Sequence, residues 1–336
     1  MSLAATLKTR ARASALALLA GATLHGAAAA HPTRERVAPV AWREIASADV
    51  DAMNRDLVAG RPTIDVAVYL PSNFDPGFDK VSLPRMLEAV RAAKQIYGRA
   101  GVQIHLLWVK TGAVDPRLLA IQSNEIPGVP DTEYVNTYEA SRRHPTVPTQ
   151  MALGAFESIV EPDADNARTL YLIALQDVIF PFVEPAEGRN WTIKMVRTGG
   201  LSFPAYSYYR TLPPRLRGVI TITNLSSPSR QRRTVAHEIG HKVMNVSHEY
   251  RDVDPAHEVF AEGGLMLYGA GEDIPAGADG RWHRERLLLS PFVYRLRADG
   301  SKAWNPDYKE GGHYYDPLYG DKVVRFPGRS AMDPNW

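Results

Sequence analysis

Residues 237–241 read His-Glu-Ile-Gly-His, and that spacing commits the stretch to a helix. Four positions apart on an α-helix, His237 and His241 project from one face about one turn apart, where both imidazoles can converge on a single zinc ion. Glu238 lies beside that face, placed to hold and deprotonate an attacking water. The bland alternative is a surface helix with two unrelated histidines and a solvent-facing Glu238. The surroundings argue against it. Arg217 to Asn224 is an apolar, β-branched run with strand character. Ser227 then caps a helix with Pro228 in its first turn, or Ser229 does so equally well. Val235, Ile239 and Val243 form a second, apolar stripe that anchors the helix in a core.

A zinc site in a hydrolase usually keeps three protein ligands and one open position. On a straight helix, His248 would fall about 10 Å beyond His241 and miss the metal. The chain must therefore turn back, and Asn245 is the natural place, since asparagine tolerates the left-handed conformation. Glu262 is the alternative third ligand, with Glu258 one helical turn before it. Arg230, Arg232 and Arg233 occupy the first turns of the helix, where positive charge opposes the dipole. They read as a solvated face, as partners for nearby carboxylates, or as a site for a substrate carboxylate.

The stretch resembles the zinc-binding signature of the metzincin superfamily of metallopeptidases, in which a glycine ends the active-site helix and a third histidine follows three residues later. Here Asn245 stands in the glycine's role and His248 in the third histidine's. The departure is one extra residue between His241 and the turn. Leu265-Met266-Leu267-Tyr268 is similar to the superfamily's Met-turn, and the resemblance implies a methionine beneath the metal ligands. It also implies that Tyr268 stabilises the transition state beside the metal. Within the superfamily, His248-Glu249 is similar to astacin-like members and Gly199 to Pro204 to the pappalysin-like branch. Phe260-Ala-Glu262-Gly263 resembles the glutamate-ligand zinc peptidases (gluzincins) instead. The resemblance implies a zinc-dependent endopeptidase acting on peptide or protein substrates, with Zn²⁺ on His237, His241 and His248 and with Glu238 and Tyr268 catalytic. An exported zinc-binding or structural protein without activity is the competing class.

The chain begins with Lys8, Arg10 and Arg12, followed by an apolar run from Ala13 to Leu24 and small residues at Ala27–Ala30. This is the pattern of a secretory signal, residues 1–30, and it predicts a secreted or periplasmic protein. The run is too short for a spanning helix, and no later segment has 18 uninterrupted apolar residues, so no stable membrane span is expected once the signal is removed. The sequence has no cysteine. That excludes disulfides and thiolate chemistry, and leaves the fold to a hydrophobic core, which a chain of about 300 residues can supply. The formal charge of +2 falls to about −1 without the signal, so nothing steers the protein toward nucleic acid. The sequence leaves the oligomeric state open.

Residues 31–61 read as an N-terminal arm or short propeptide with a short helix around Trp42 to Leu57. Thr63 to Leu70 and Val102 to Val109 read as strands. Between them, a helix after Ser82 turns Met86, Leu87, Val90, Ala93 and Ile96 inward. His105 reads as a core or sheet-surface histidine. A helix is expected from Thr149 to Val160, strands at Arg168 to Leu175 and Trp191 to Val196, and a further helix from Arg284 to Leu296. By the resemblance, the segment from Leu201 to Tyr208 is a sheet edge along which an extended peptide pairs. The expected fold is α+β: a zincin-like catalytic domain with a mixed twisted β-sheet, a crossover helix and the active-site helix. Its catalytic part spans 62–248, and a small irregular C-terminal subdomain, 249–336, carries the Met-turn-like segment.

Overall fold

The structure, a computed structural model, describes residues 38–125, 134–135, 147–162, 167–185, 191–202, 213–245, 264–267, 271, 273–306, 313–315 and 323–325, all within the unit Val37–Trp336. The signal-like segment 1–30 lies outside them. An eight-stranded mixed sheet organises the molecule. Its strands are β1 (Arg43–Glu44), β2 (Thr63–Pro71), β3 (Gln103–Gly112), β4 (Leu170–Ala174), β5 (Gly200–Leu201), β6 (Val219–Ile222), β7 (Val293–Leu296) and β8 (Lys302–Trp304). The main order is β1-β3-β2-β4-β6-β5. The four inner strands run parallel, and β1 and β5 close the two edges antiparallel.

Parallel neighbours need a crossover, and α1 (Leu83–Arg99) supplies it between β2 and β3. Its apolar positions Met86, Val90, Ala93 and Ile96 are all buried, as their helical spacing requires. Strands β2, β4 and β6 are buried along their whole length because both of their faces are covered. On one face Val66, Val68, Leu172 and Ile220 share a core with α1 and the helix that follows β6. On the other, Ala67, Tyr69, Tyr171 and Ile173 pack against α2 (Gln150–Ile159). Thr149 caps α2 through its side-chain oxygen, which accepts from the Ala152 N–H.

The helix after β6 is α3 (Pro228–Gly240), the carrier of His237, Glu238 and His241's approach to the core. Ser227, not Ser229, is its cap, accepting from the Arg230 N–H, and Pro228 follows in the first turn. We expect Ser227→Ala to lower stability by about 1 kcal/mol in urea unfolding. Val235, Ile239 and Val243 are buried as one stripe. Tyr97 of α1 donates its hydroxyl to the Ala236 carbonyl at 2.7 Å, which ties the crossover helix to the centre of α3.

Two elements differ from their sequence reading. The stretch expected to be helical around Trp42 to Leu57 is strand β1, a 3₁₀ turn (Ala46–Ala48) and a single short helix, Val50–Asn54. The helix expected from Arg284 to Leu296 is α4 (Arg281–Leu289), which starts earlier and stops before Pro291. Val293–Leu296 then forms β7, pairing with the start of β2 and with β8. The residue before a proline is pushed out of the helical region, and Val293 and Tyr294 suit a strand.

Candidate metal centre

The site begins with the helix that the sequence calls for and the turn that follows it. After Gly240, residues His241–Asn245 continue as one π-helical turn rather than an α-helical one. Such a turn bonds i to i+5 and takes up about one more residue than an α-turn. It ends at Asn245, whose φ of 52° is left-handed. Arg286 of α4 donates to the carbonyls of Met244 and Asn245 at 3.2 and 3.3 Å, satisfying the end of the helix.

His237, Glu238 and His241 are brought together as the spacing implies, with one ligand atom from each within 4.8 Å of the others. The two imidazole rings stand 4.8 Å apart at 83°. All three side chains are buried, at 5, 6 and 4 % exposure. Nδ1 of His237 lies 2.7 Å from the Leu265 carbonyl. A carbonyl only accepts, so Nδ1 carries the proton and Nε2 is left with its lone pair for a metal. Such outer contacts orient a metal-binding histidine. His241 Nε2 and Glu238 Oε2 are 4.0 Å apart, too far to hydrogen-bond directly.

Glu238 has the most unusual environment. Burial pushes its carboxyl up from the ordinary 4.5 to about 8, against the opposing pull of Arg233, Lys242 and the Ser202 N–H. Its Oε2 has no hydrogen-bond partner among the described residues. A buried carboxylate oxygen left in this state beside two convergent imidazoles is what a cation and its water would satisfy, so the donor set fits zinc. Lys242 is fully buried one turn along from Glu238. Burial drives its ammonium well down, and the Glu238 carboxylate opposes that.

Beneath α3 lies the turn expected from the sequence. The Leu267 N–H donates to the Gly264 carbonyl, making Leu265 and Met266 the corner. Met266 is fully buried, and its sulfur occupies the space where a Cβ at Gly240 would be, 2.3 Å away. Gly240 thus lets the methionine seat against the helix between the two histidines. Arg233 reaches across to the same loop, donating from Nη2 to the Leu267 carbonyl at 2.7 Å and from Nε to the Gly271 carbonyl at 2.5 Å. It serves these backbone carbonyls, and its charge also acts on the Glu238 carboxylate.

His248, Glu258, Glu262 and Tyr268 lie outside the described residues. Leu201 lies on β5, the edge of the main sheet, and Ser202 follows it against Glu238. Residues 203–208 of that expected edge are outside the described residues. His105 is the sheet histidine it was read to be, 3.0 Å from the buried Asp65. The carbonyl contacts of Arg233 and the burial of Lys242 beside Glu238 were missed, although each lies four residues from a site residue, the helical spacing that puts side chains on one face.

This is a zincin-type metal-binding motif of the His-Glu-x-x-His form, carried on a mixed α+β domain. The family model of the M78 peptidases, described as an IrrE N-terminal-like domain, matches residues 198–262. That span runs from β5 through the whole of α3 and covers well under half of the chain. No curated protein matches. No helix among the described residues is long and apolar enough to cross a membrane.

Proposed function

We propose that the chain is an exported zinc metallopeptidase that hydrolyses peptide bonds with Glu238 as general base. The observation that carries this reading is the buried set of His237, Glu238 and His241, with the first imidazole's proton committed to Leu265 and one Glu238 oxygen without a partner. Nε2 of His237 and an imidazole nitrogen of His241 would hold the metal. A bound zinc supplies Lewis acidity at the scissile carbonyl and an acidified water. Glu238 takes the water's proton at its carboxylate and passes it to the leaving amine. Tyr268 adds a hydrogen bond to the charge that grows on the carbonyl oxygen. The β5 edge at Leu201 offers backbone groups to an extended substrate.

His248 is the proposed third ligand. The π-turn takes up the residue by which this chain exceeds the metzincin spacing, and the left-handed Asn245 stands three residues before His248, where the chain would have to turn. The matched family region, residues 198–262, contains both His248 and Glu262, so it favours neither. Residues 1–30 would direct export to the periplasm or the exterior.

The test is a fluorescently labelled unfolded protein incubated with the purified chain, with and without a chelator. Chelator-sensitive cleavage is expected, and its absence would remove the enzymatic reading. Metal content then assigns the third ligand: His248→Ala should lose most zinc and Glu262→Ala should keep it. The reverse result would make the protein a glutamate-ligand peptidase.

A further inference from the structure

The described part of the 264–273 stretch begins with the Gly264–Leu267 turn under α3. A backbone bridge joins Gly264 to Asp273. The two passes approach so closely that a Cβ at Gly271 would fall 1.5 Å from the Gly264 carbonyl oxygen. On its outer side Arg99 of α1 pairs with Asp273. On its inner side three carbonyls face α3. Leu265 accepts from His237, while Leu267 and Gly271 accept from Arg233. Arg233 stands one helical turn before His237, and its Nη2 is also 3.2 Å from Nδ1 of that ring. The loop and the imidazole are therefore held by neighbouring groups on one helix face.

Arginine suits this task for a geometric reason. Its fork donates in two fixed directions from one planar group, here from Nε and Nη2 to carbonyls four residues apart in the chain. A lysine has one nitrogen on a flexible stem and cannot reproduce that. The guanidinium is also an odd neighbour for a metal-binding imidazole, which is more often backed by a carboxylate or carbonyl. Here the carbonyl of Leu265 performs that orienting role, and Arg233 fixes the loop that presents it.

We propose that Arg233 is a positioning residue that couples the seating of the 264–273 loop to zinc affinity at His237. The inference rests on the metal-site reading of His237 and His241. Removing the fork frees Leu267 and Gly271, lets the Leu265 carbonyl drift from Nδ1, and leaves the first ligand without its orientation. Coupling is reciprocal, so zinc binding must in turn steady the loop.

The experiment compares wild type, Arg233→Met, Arg233→Lys and Gly271→Ala. Zinc affinity is read by competition with a chromophoric chelator, and amide exchange is followed in peptides covering 264–273, with and without zinc. Expected are roughly 10- to 100-fold weaker zinc binding in all three variants and faster exchange in that loop even without metal. Zinc should slow exchange there in wild type more than in the variants. Gly271→Ala disturbs the loop without changing any side chain of α3, so it tests the coupling even where the Arg233 variants fold poorly. Wild-type affinity in Arg233→Met, or unchanged loop exchange, would overturn the proposal. Full rescue by Arg233→Lys would also overturn it, since charge alone would then suffice. A wild type that takes up no zinc would instead refute the metal-site reading, and this coupling with it.

Discussion

Glu238→Gln is expected to bind zinc as the wild type does and to hydrolyse unfolded protein about 10²- to 10⁴-fold more slowly. Glutamine keeps the shape of the side chain and can still accept from the Ser202 N–H, so the pocket need not rearrange. What it loses is the ability to take a proton and return it. The same variant should behave distinctively without metal. Burial raises the Glu238 carboxyl from 4.5 to about 8, so the folded metal-free protein holds this proton more tightly than the unfolded chain does. Between those two values stability must therefore fall as pH rises. Glutamine removes that penalty. Metal-free Glu238→Gln should melt above wild type at pH 8, with the difference shrinking toward pH 5. Equal melting temperatures at pH 8 would contradict the assigned burial, and undiminished hydrolysis would remove Glu238 from the chemistry.

Asp65→Asn should produce the largest loss of stability, far from the metal centre. Asp65 is fully buried in β2. One oxygen accepts from the Tyr294 hydroxyl at 2.8 Å and from His105 Nδ1 at 3.0 Å, and the other from Lys302 at 2.5 Å. These contacts join β2 and β3 to the β7–β8 hairpin. Burial pushes the Asp65 carboxyl upward, but His105, Lys302 and Tyr294 together outweigh it and hold it below the ordinary 3.8. A carboxylate depressed in the folded state contributes stability above its unfolded value, lost as pH falls through the lower folded value. Asparagine leaves the Lys302 ammonium without its carboxylate, a change that costs about 3 kcal/mol when the partners are largely buried. Urea unfolding at pH 7 should show that loss, and the gap to wild type should narrow below about pH 3.8. Zinc binding should survive wherever the variant is folded. A loss of the same size at pH 3 and pH 7 would mean that the charge contributes nothing.

Much of the site was legible in the sequence because its signals are local. The Ser227 cap, the apolar stripe Val235-Ile239-Val243 and the four-residue histidine spacing all act within one helix. Asn245 was legible for the same reason, as few residues accept a positive φ. The alternation of β2, α1 and β3 could be read from apolar runs and helical spacing, and it gave the crossover. What could not be read depends on distant partners. Arg233 finds its carbonyls 34 and 38 residues away, and nothing in its neighbours marks them. Asp65 stands out as a charge in an apolar strand, but its partners lie 40, 229 and 237 residues along the chain. The strand β7 was read as helix because its conformation is decided by pairing with β2 rather than by its own pattern. The π-turn is similar: the residues of His241–Asn245 are compatible with an ordinary helix, and packing of α4 against its end favours the wider turn.

The most direct measurement is the zinc content of the purified chain, wild type beside His241→Ala. One zinc per wild-type chain, lost in the variant while its circular dichroism is retained, is the result the buried histidine pair predicts. A wild type that holds no zinc after exposure to it, or a variant that keeps it, would contradict the assignment of this helix as a metal centre.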